Sequence, residues 1–168
     1  MPLEVRRYRP GDEAGIVNVI VPIQSEEFGI AITAADQPDL AAIAEFYLPG
    51  AGGFWVAADG DDIVGTISLK DIGDATGALR KMFVAAPYRG AAFGVGRRLL
   101  QTLLDHAHDQ GLRTILLGTT DRYLAAHRFY EKNGFRRIDA DQLPASFPRM
   151  AVDNWFYRLD LAASPARP

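Results

Sequence analysis

The chain of 168 residues contains no cysteine. That excludes disulfides, a thiolate nucleophile and every cysteine-based zinc site. Histidine is scarce as well. His106, His108 and His127 are the only three, and they do not form a His-Glu-x-x-His set, so no metal is expected. Positive charge is not in surplus: 18 Lys and Arg stand against 21 Asp and Glu, a net charge of -3. A chain-wide basic field for nucleic acid or an anionic membrane is thereby excluded. No apolar run approaches the ~20 residues of a membrane helix. Met1 to Arg7 lacks the apolar core of a secretory signal. These absences together predict a cytoplasmic protein with no metal, no nucleic-acid partner and no membrane partner.

What remains is ordinary globular composition, with 48% hydrophobic and 23% charged residues, enough to bury one substantial core. With no internal repeat and no linker, one domain over 1–161 is expected, and 162–168 reads as a disordered tail. Leu3 to Arg9 alternates apolar and charged residues like an edge strand. Asp12 and Glu13 open a helix through Val21, which Pro22 ends or kinks. Gln24 to Gly29 reads as loop or helix end. A second helix follows Pro38, with Leu40, Ile43, Ala44 and Tyr47 on one face. Strands over 54–58, 63–70 and 77–85, joined by Asp- and Gly-rich turns, predict an antiparallel meander. A helix carrying Leu99, Leu100, Leu103, Leu104 and Ala107 ends near Gly111 and leads into a buried strand over 113–117. That strand–helix–strand unit should be parallel and right-handed. A further helix ends at Asn133-Gly134, and strands over 135–138 and 153–161 close the chain, with a rigid loop over 143–148 between them.

The stretch that organises the chain is Pro87 to Gln101, where Gly90, Gly94 and Gly96 lie among Arg89, Arg97 and Arg98. Met82-Phe83-Val84 leads into it as a strand, and the leucine-rich helix leads out. Such a turn frees backbone N–H groups at the positive end of a helix, a ready site for phosphate. It is not a Walker loop, since the required Lys is missing. Nor is it a dinucleotide fingerprint: Leu99 stands where the third glycine belongs, and no acidic residue follows about 20 positions on. Downstream, Tyr123, Ala126, His127 and Tyr130 share one helical face. By themselves, Tyr130, which could be a phenolic proton donor, reads rather as a packing residue, and His127 as a surface or hydrogen-bonded residue.

Taken together, Arg80 to Gly90, the glycine loop, the leucine-rich helix, Thr114-Ile115-Leu116-Leu117 and Ala126-His127-Arg128-Phe129-Tyr130-Glu131-Lys132-Asn133-Gly134-Phe135 resemble the GNAT family of acyl-CoA-dependent N-acetyltransferases. The resemblance is sharpest from Leu79 to Phe135. It implies an acyl-CoA N-acyltransferase fold, α/β (α+β), with a mixed, mostly antiparallel twisted sheet of about seven strands flanked by about four helices. It implies acetyl-CoA as cosubstrate. Met82, Phe83 and Val84 would pair with its pantetheine arm, and the loop Arg89, Gly90, Ala91, Ala92, Phe93, Gly94, Val95, Gly96 and Arg97 would hold its pyrophosphate. Tyr123 and Ala126 would face it from the last helix, and Tyr130 would protonate the departing thiolate.

Three positions depart from the family pattern. Ala91 replaces Gln or Arg in the loop, and Tyr123 replaces the Asn found seven residues before the tyrosine. Ala78-Leu79-Arg80-Lys81 has no strand glutamate to act as base. The base is therefore unassigned among Glu26, Glu27, Asp71, Asp74 and His127. For the acceptor, a small-molecule, amino-acid or peptide amine, the residues expected at the cleft are Glu26, Glu27, Trp55 and His127, with Phe147, Arg149 and Trp155 as further candidates. Homodimerisation stays open. The competing reading is a non-catalytic acyl-CoA-binding module. A Rossmann-like nucleotide binder is weaker, because an antiparallel meander precedes the loop.

Overall fold

The computed structural model describes residues 3–90 and 92–162. The expectations for Ala91 and for the tail beyond Ala162 therefore lie outside the described residues. One sheet of seven strands runs in the order β1-β2-β3-β4-β5-β7-β6. Its strands are β1 (Leu3–Arg7), β2 (Gly53–Asp59), β3 (Asp62–Asp71), β4 (Thr76–Val84), β5 (Thr114–Thr119), β6 (Arg136–Ile138) and β7 (Trp155–Asp160). Neighbours are antiparallel except β4 and β5, which are parallel. The exception follows from the connection. A fifteen-residue helix, α3 (Val95–Asp109), carries the chain from β4 across the sheet to β5, as a parallel crossover requires. The other helices are α1 (Glu13–Pro22), α2 (Ile43–Tyr47) and α4 (Leu124–Lys132).

The α-helix ends at Pro22 as expected, and the chain continues into a π-helical turn, Ile23–Glu27, closed by the Phe28 N–H to Ile23 C=O bond. One local expectation is corrected. The single helix expected from Pro38 to Tyr47 is two pieces. A 3₁₀ turn, Pro38–Ala41, is separated from α2 by Ala42, whose φ of -140° and ψ of 48° are not helical.

Helices cover both faces of the sheet. On one, Leu99, Leu100, Leu103 and Ala107 of α3 pack on Ile67, Leu69, Leu79, Ile115 and Leu117. On the other, Ile16 and Ile20 of α1 and Ile43 and Tyr47 of α2 pack on Phe54 and Val56. A smaller cluster, Ala78, Leu116, Phe147 and Phe156, lies under the 143–150 loop. Each fully buried leucine of α3 contributes about 1.5–3 kcal/mol. The helix, and with it the N-terminus that faces the site, is thus held as a rigid platform.

Two irregularities of β4 shape the site. It pairs with β5 only from Thr76 to Leu79, opposite Thr114 to Leu117, while β5 continues along β7 to Thr119. From Arg80 onward the side of β4 that faced β5 has no strand partner among the described residues, and the sheet opens. In the same stretch β4 bulges. Between the pairs Thr66↔Phe83 and Ser68↔Arg80, β3 places Ile67 alone while β4 places both Lys81 and Met82. Lys81 accordingly has a φ of +54°, the left-handed region that side chains rarely adopt. The Thr66 hydroxyl donates to the Lys81 carbonyl at 2.6 Å and the Ser68 hydroxyl to the Arg80 carbonyl at 2.7 Å, which holds the bulge in place.

Candidate functional site

The opening beside β4 is the mouth of a cleft of about 680 Å³. Met82, Phe83 and Val84 form one wall, Tyr123, Ala126, Phe129 and Tyr130 the opposite wall, and Gly90, Gly94, Gly96 and Arg97 one end. Ile23 and Phe28 reach in from the π-helical turn. The strand wall and the loop are contiguous in sequence. The helix wall is placed by Phe129, Tyr130 and Phe135, which pack against one another and on the core.

The loop end has the geometry of an anion cradle. Gly94 caps α3 in the left-handed conformation at φ 61°, and Gly90 has φ 101°, so both need glycine. The Gly94 N–H donates to Gly90 C=O at 3.2 Å and closes the turn. Among the described residues no side chain caps α3 and no acid lies in its first turn, so the first-turn N–H groups of Gly96 and Arg97 have no capping side chain there. Gly96 lines the cleft because it has no side chain. A Cβ there would meet Met82 and Phe129 at 3.6–3.7 Å and narrow the passage.

Individual loop side chains have distinct roles. Arg89 donates from Nε to Val84 C=O at 2.8 Å and from both Nη atoms to the Glu27 carboxylate at 2.5 and 2.6 Å. It is a strap joining the loop to the π-helical turn, and its fork is already engaged. Glu27 is held below the usual carboxylate range by that hydrogen bond. Arg97 and Lys132 also bring basic side chains to the cleft wall. Phe93 is exposed and lies against Tyr88, while Val95 is buried in the core and can offer a ligand only its backbone.

Tyr130 is 5% exposed, and no hydrogen bond among the described residues engages its hydroxyl. It lines the cleft. Burial pushes the phenol well above its ordinary value, so it keeps its proton at neutral pH. Tyr123 stands at the N-cap of α4, edge-on to Phe28 at 4.7 Å and Phe83 at 6.1 Å. Burial raises its phenol to about 12.

Other expected site residues lie elsewhere. Trp55 is 2% exposed in the core, edge-on to His106 at 5.0 Å, because its strand position points under α3. His127 turns away from the cleft that its neighbour Ala126 lines. Its Nε2 lies 2.9 Å from Thr120 C=O, and its ring stacks on Trp155 at 4.7 Å. Both are corrected to structural positions. Glu26 is exposed and outside the cleft. Asp71 accepts N–H bonds from Ala51 and Gly73, and Asp74 sits in a turn at φ 53°. Phe147 is buried against Phe156.

Sequence reasoning missed a polar cluster on the far side of β4. Because the bulge breaks the alternation, Arg80 and Lys81 point the same way. Both approach Asp39 Oδ2, at 3.9 and 3.8 Å, inside the protein. Tyr47 donates to Asp39 at 2.5 Å, Lys81 to Gln37 at 2.5 Å, and Gln37 and Gln24 pair through their amides. A charged pair inside an otherwise apolar strand was the available signal. The cluster borders a second cavity of about 820 Å³, which Arg80 and Arg149 both line. Among the described residues no group of three or more His, Asp or Glu could hold a metal ion. No described helix is long and apolar enough to cross a membrane.

Comparisons with known proteins bear on this geometry. Residues 18–135 match the model of the acetyltransferase (GNAT) family. The chain is 34% identical over 122 residues to the probable N-acetyltransferase 14 of Xenopus tropicalis, covering 71% of this chain and 58% of that one. It is 34% identical over 125 residues to the N-acetylaspartate synthetase of Danio rerio, covering 72% and 44%. It thus spans about half the length of these curated relatives. A crystal structure of a GNAT-family acetyltransferase from Staphylococcus aureus Mu50 superposes with a TM-score of 0.91 at 38% identity, over 95% of this chain and 99% of that one.

Proposed function

The chain belongs to the GNAT acetyltransferase family, and from that premise we propose that it transfers an acetyl group from acetyl-CoA to the primary amine of a small molecule, amino acid or peptide by direct attack in a ternary complex. The observation that carries this reading is the convergence of three features on one cleft: the unpartnered edge of β4, the uncapped N-terminus of α3, and the unengaged hydroxyl of Tyr130.

The residues present fit acetyl-CoA. The first-turn N–H groups of α3, with Arg97 beside them, suit a pyrophosphate. Met82 to Val84 offer backbone groups to an extended amide-bearing arm, as an added strand pairs with an open sheet edge. When bound, acetyl-CoA supplies the acyl group and a thiolate leaving group. Backbone donors along Met82–Val84 polarise the acyl oxygen, and the walls hold the reacting groups close, where positioning supplies much of the rate. Tyr130, kept protonated by burial, donates its hydrogen bond to the sulfur as negative charge develops there.

The test is thiol release from acetyl-CoA across a panel of amines. Turnover that falls on Tyr130→Phe while CoA affinity holds supports transfer. Tight CoA binding with no turnover on any amine supports the alternative, a non-catalytic acyl-CoA-binding module. That alternative draws its support from Glu27, whose carboxylate is engaged by Arg89 rather than available as a base.

A further inference from the structure

The second cavity shares two walls with the cleft. On β4, Arg80 lines the cavity and Met82 the cleft, two residues apart on either side of the bulged Lys81. On the segment after α1, Phe28 reaches the cleft while Ala31 and Ile32 line the cavity. A molecule in the cavity would therefore lie beside the β4 edge at which we place the acyl group. The volume, about 820 Å³, is that of an ordinary small-molecule site.

The chemistry of the walls is selective. Phe46, Pro38, Met150 and Val152 make part of the wall apolar, and two guanidiniums stand against it. Two acids also line the cavity and already accept donors, Asp36 from the Thr33 N–H and hydroxyl and Asp39 from the Tyr47 hydroxyl; Asp153, behind the wall, accepts from the Met150 N–H. The arginines keep unused donors. Of its five N–H donors, Arg80 gives one from Nε to Tyr47 at 3.2 Å and one from Nη1 to Pro148 C=O at 2.5 Å, while its Nη2 lies 3.9 Å from Asp39 Oδ2, too long for a hydrogen bond. Arg149 gives one from Nη2 to Asp153 C=O at 3.3 Å, with its guanidinium 4.9 Å from the Phe156 ring centre. The remaining capacity of both side chains is donor only, in the planar fork that matches a carboxylate. Lys81, buried behind Arg80, adds a further basic group.

We propose that this cavity is the acceptor site and that Arg80 and Arg149 bind a carboxylate of the acceptor, so that the enzyme acetylates carboxylate-bearing amines. The inference rests on the acetyl-transfer reading and narrows its substrate class. The carboxylate is anchored in the cavity, the apolar wall takes the side chain, and the amine points toward β4 at Met82.

Two assays separate the assignments. Calorimetric binding to protein saturated with CoA needs no turnover; thiol release from acetyl-CoA reads transfer. Both use L-leucine, L-phenylalanine and L-methionine, each beside its carboxamide and its decarboxylated amine, together with L-aspartate, L-glutamate and ethanolamine phosphate. Carboxylates should bind about tenfold or more tightly than their uncharged counterparts. Arg149→Gln, a change on an exposed loop, should remove that discrimination with CoA affinity kept. In turnover it should raise KM far more than it lowers kcat. Arg80→Lys keeps the charge but loses the fork, and should weaken discrimination without unfolding the protein. Selective binding without turnover upholds the cavity assignment and sinks transfer. Turnover with equal use of amides and acids upholds transfer and sinks the assignment. Failure of every carboxylate to bind, preference for ethanolamine phosphate, or unchanged discrimination in Arg149→Gln also overturns it.

Discussion

The two hollows beside β4 are built on opposite principles. The cleft is made largely of backbone: an open strand edge, glycines in the left-handed region, and helix N–H groups, with Tyr130 buried in its wall. The cavity is lined by side chains from segments far apart, Asp39, Arg80 and Arg149 among them, which Tyr47, Lys81 and Asp153 tie from behind into a partly buried network. A backbone site tolerates side-chain change but not a change of conformation. A side-chain network is the reverse, and it also carries stability, because buried charge without its partner is costly. Changes on the cleft side should therefore alter ligand binding or rate first, whereas changes in the network should alter stability first.

Tyr130→Phe gives the largest expected effect. It should lower kcat by about 10²–10⁴-fold, the usual range for a positioned proton donor, with the dissociation constant for CoA unchanged. Loss of CoA affinity in equal measure would make Tyr130 a packing residue. Asp39→Ala comes next. It leaves Arg80 and Lys81 without their shared carboxylate and should cost about 3–5 kcal/mol in denaturant unfolding, with CoA affinity retained. Gly94→Pro should do the opposite. Proline cannot adopt φ 61°, and the substitution removes the N–H that closes the loop on Gly90. CoA affinity should fall about tenfold or more through lost hydrogen bonds to charged phosphate, with a loss of stability confined to the loop strain and the one lost backbone bond.

Lys81 sharpens the contrast through pH. Burial pushes its ammonium down from 10.5 to about 8. Below about 8 both folded and unfolded chains carry the proton, and the cost of burying the charge stands in full. Between about pH 8 and 10 the unfolded chain keeps a proton that the folded chain has shed, so this group makes stability rise with pH. Lys81→Met should abolish that rise in urea titrations compared at pH 7 and 9.5. A rise that persists would assign it to another group. The smallest effect belongs to Glu27→Gln. Its pair with Arg89 has side chains 34% and 39% exposed, so the change should cost under about 1 kcal/mol. A cost of several kcal/mol would mean that the strap holds the loop rather than merely bridging it.

The legibility of the chain follows the same division. The hairpin turn at Asp59-Gly60, the amphipathic α3 and the parallel β4–α3–β5 unit were readable because periodicity and turn chemistry act over a few residues. The glycine loop was readable for the same reason. Trp55 and His127 were misplaced because aromatic and imidazole side chains suit a cleft and a core equally well, and only packing separates the two. The split at Ala42 was invisible because its neighbours keep helical spacing across the break.

By itself the sequence determined the element order, the core faces of α3 and of the strands, and a phosphate-type loop at a helix N-terminus, since each depends on neighbouring residues and the fixed periods of helix and strand. Only the tertiary structure decided that β4 parts from β5 after Leu79 and bulges at Lys81. The first opens an edge for a ligand. The second turns two successive basic side chains to the same side, where strict alternation would have separated them, and brings them to Asp39 beside a cavity that Arg149 also lines. Strand pairing sets where a sheet opens and where it bulges, and the partners meet only when the whole chain has folded.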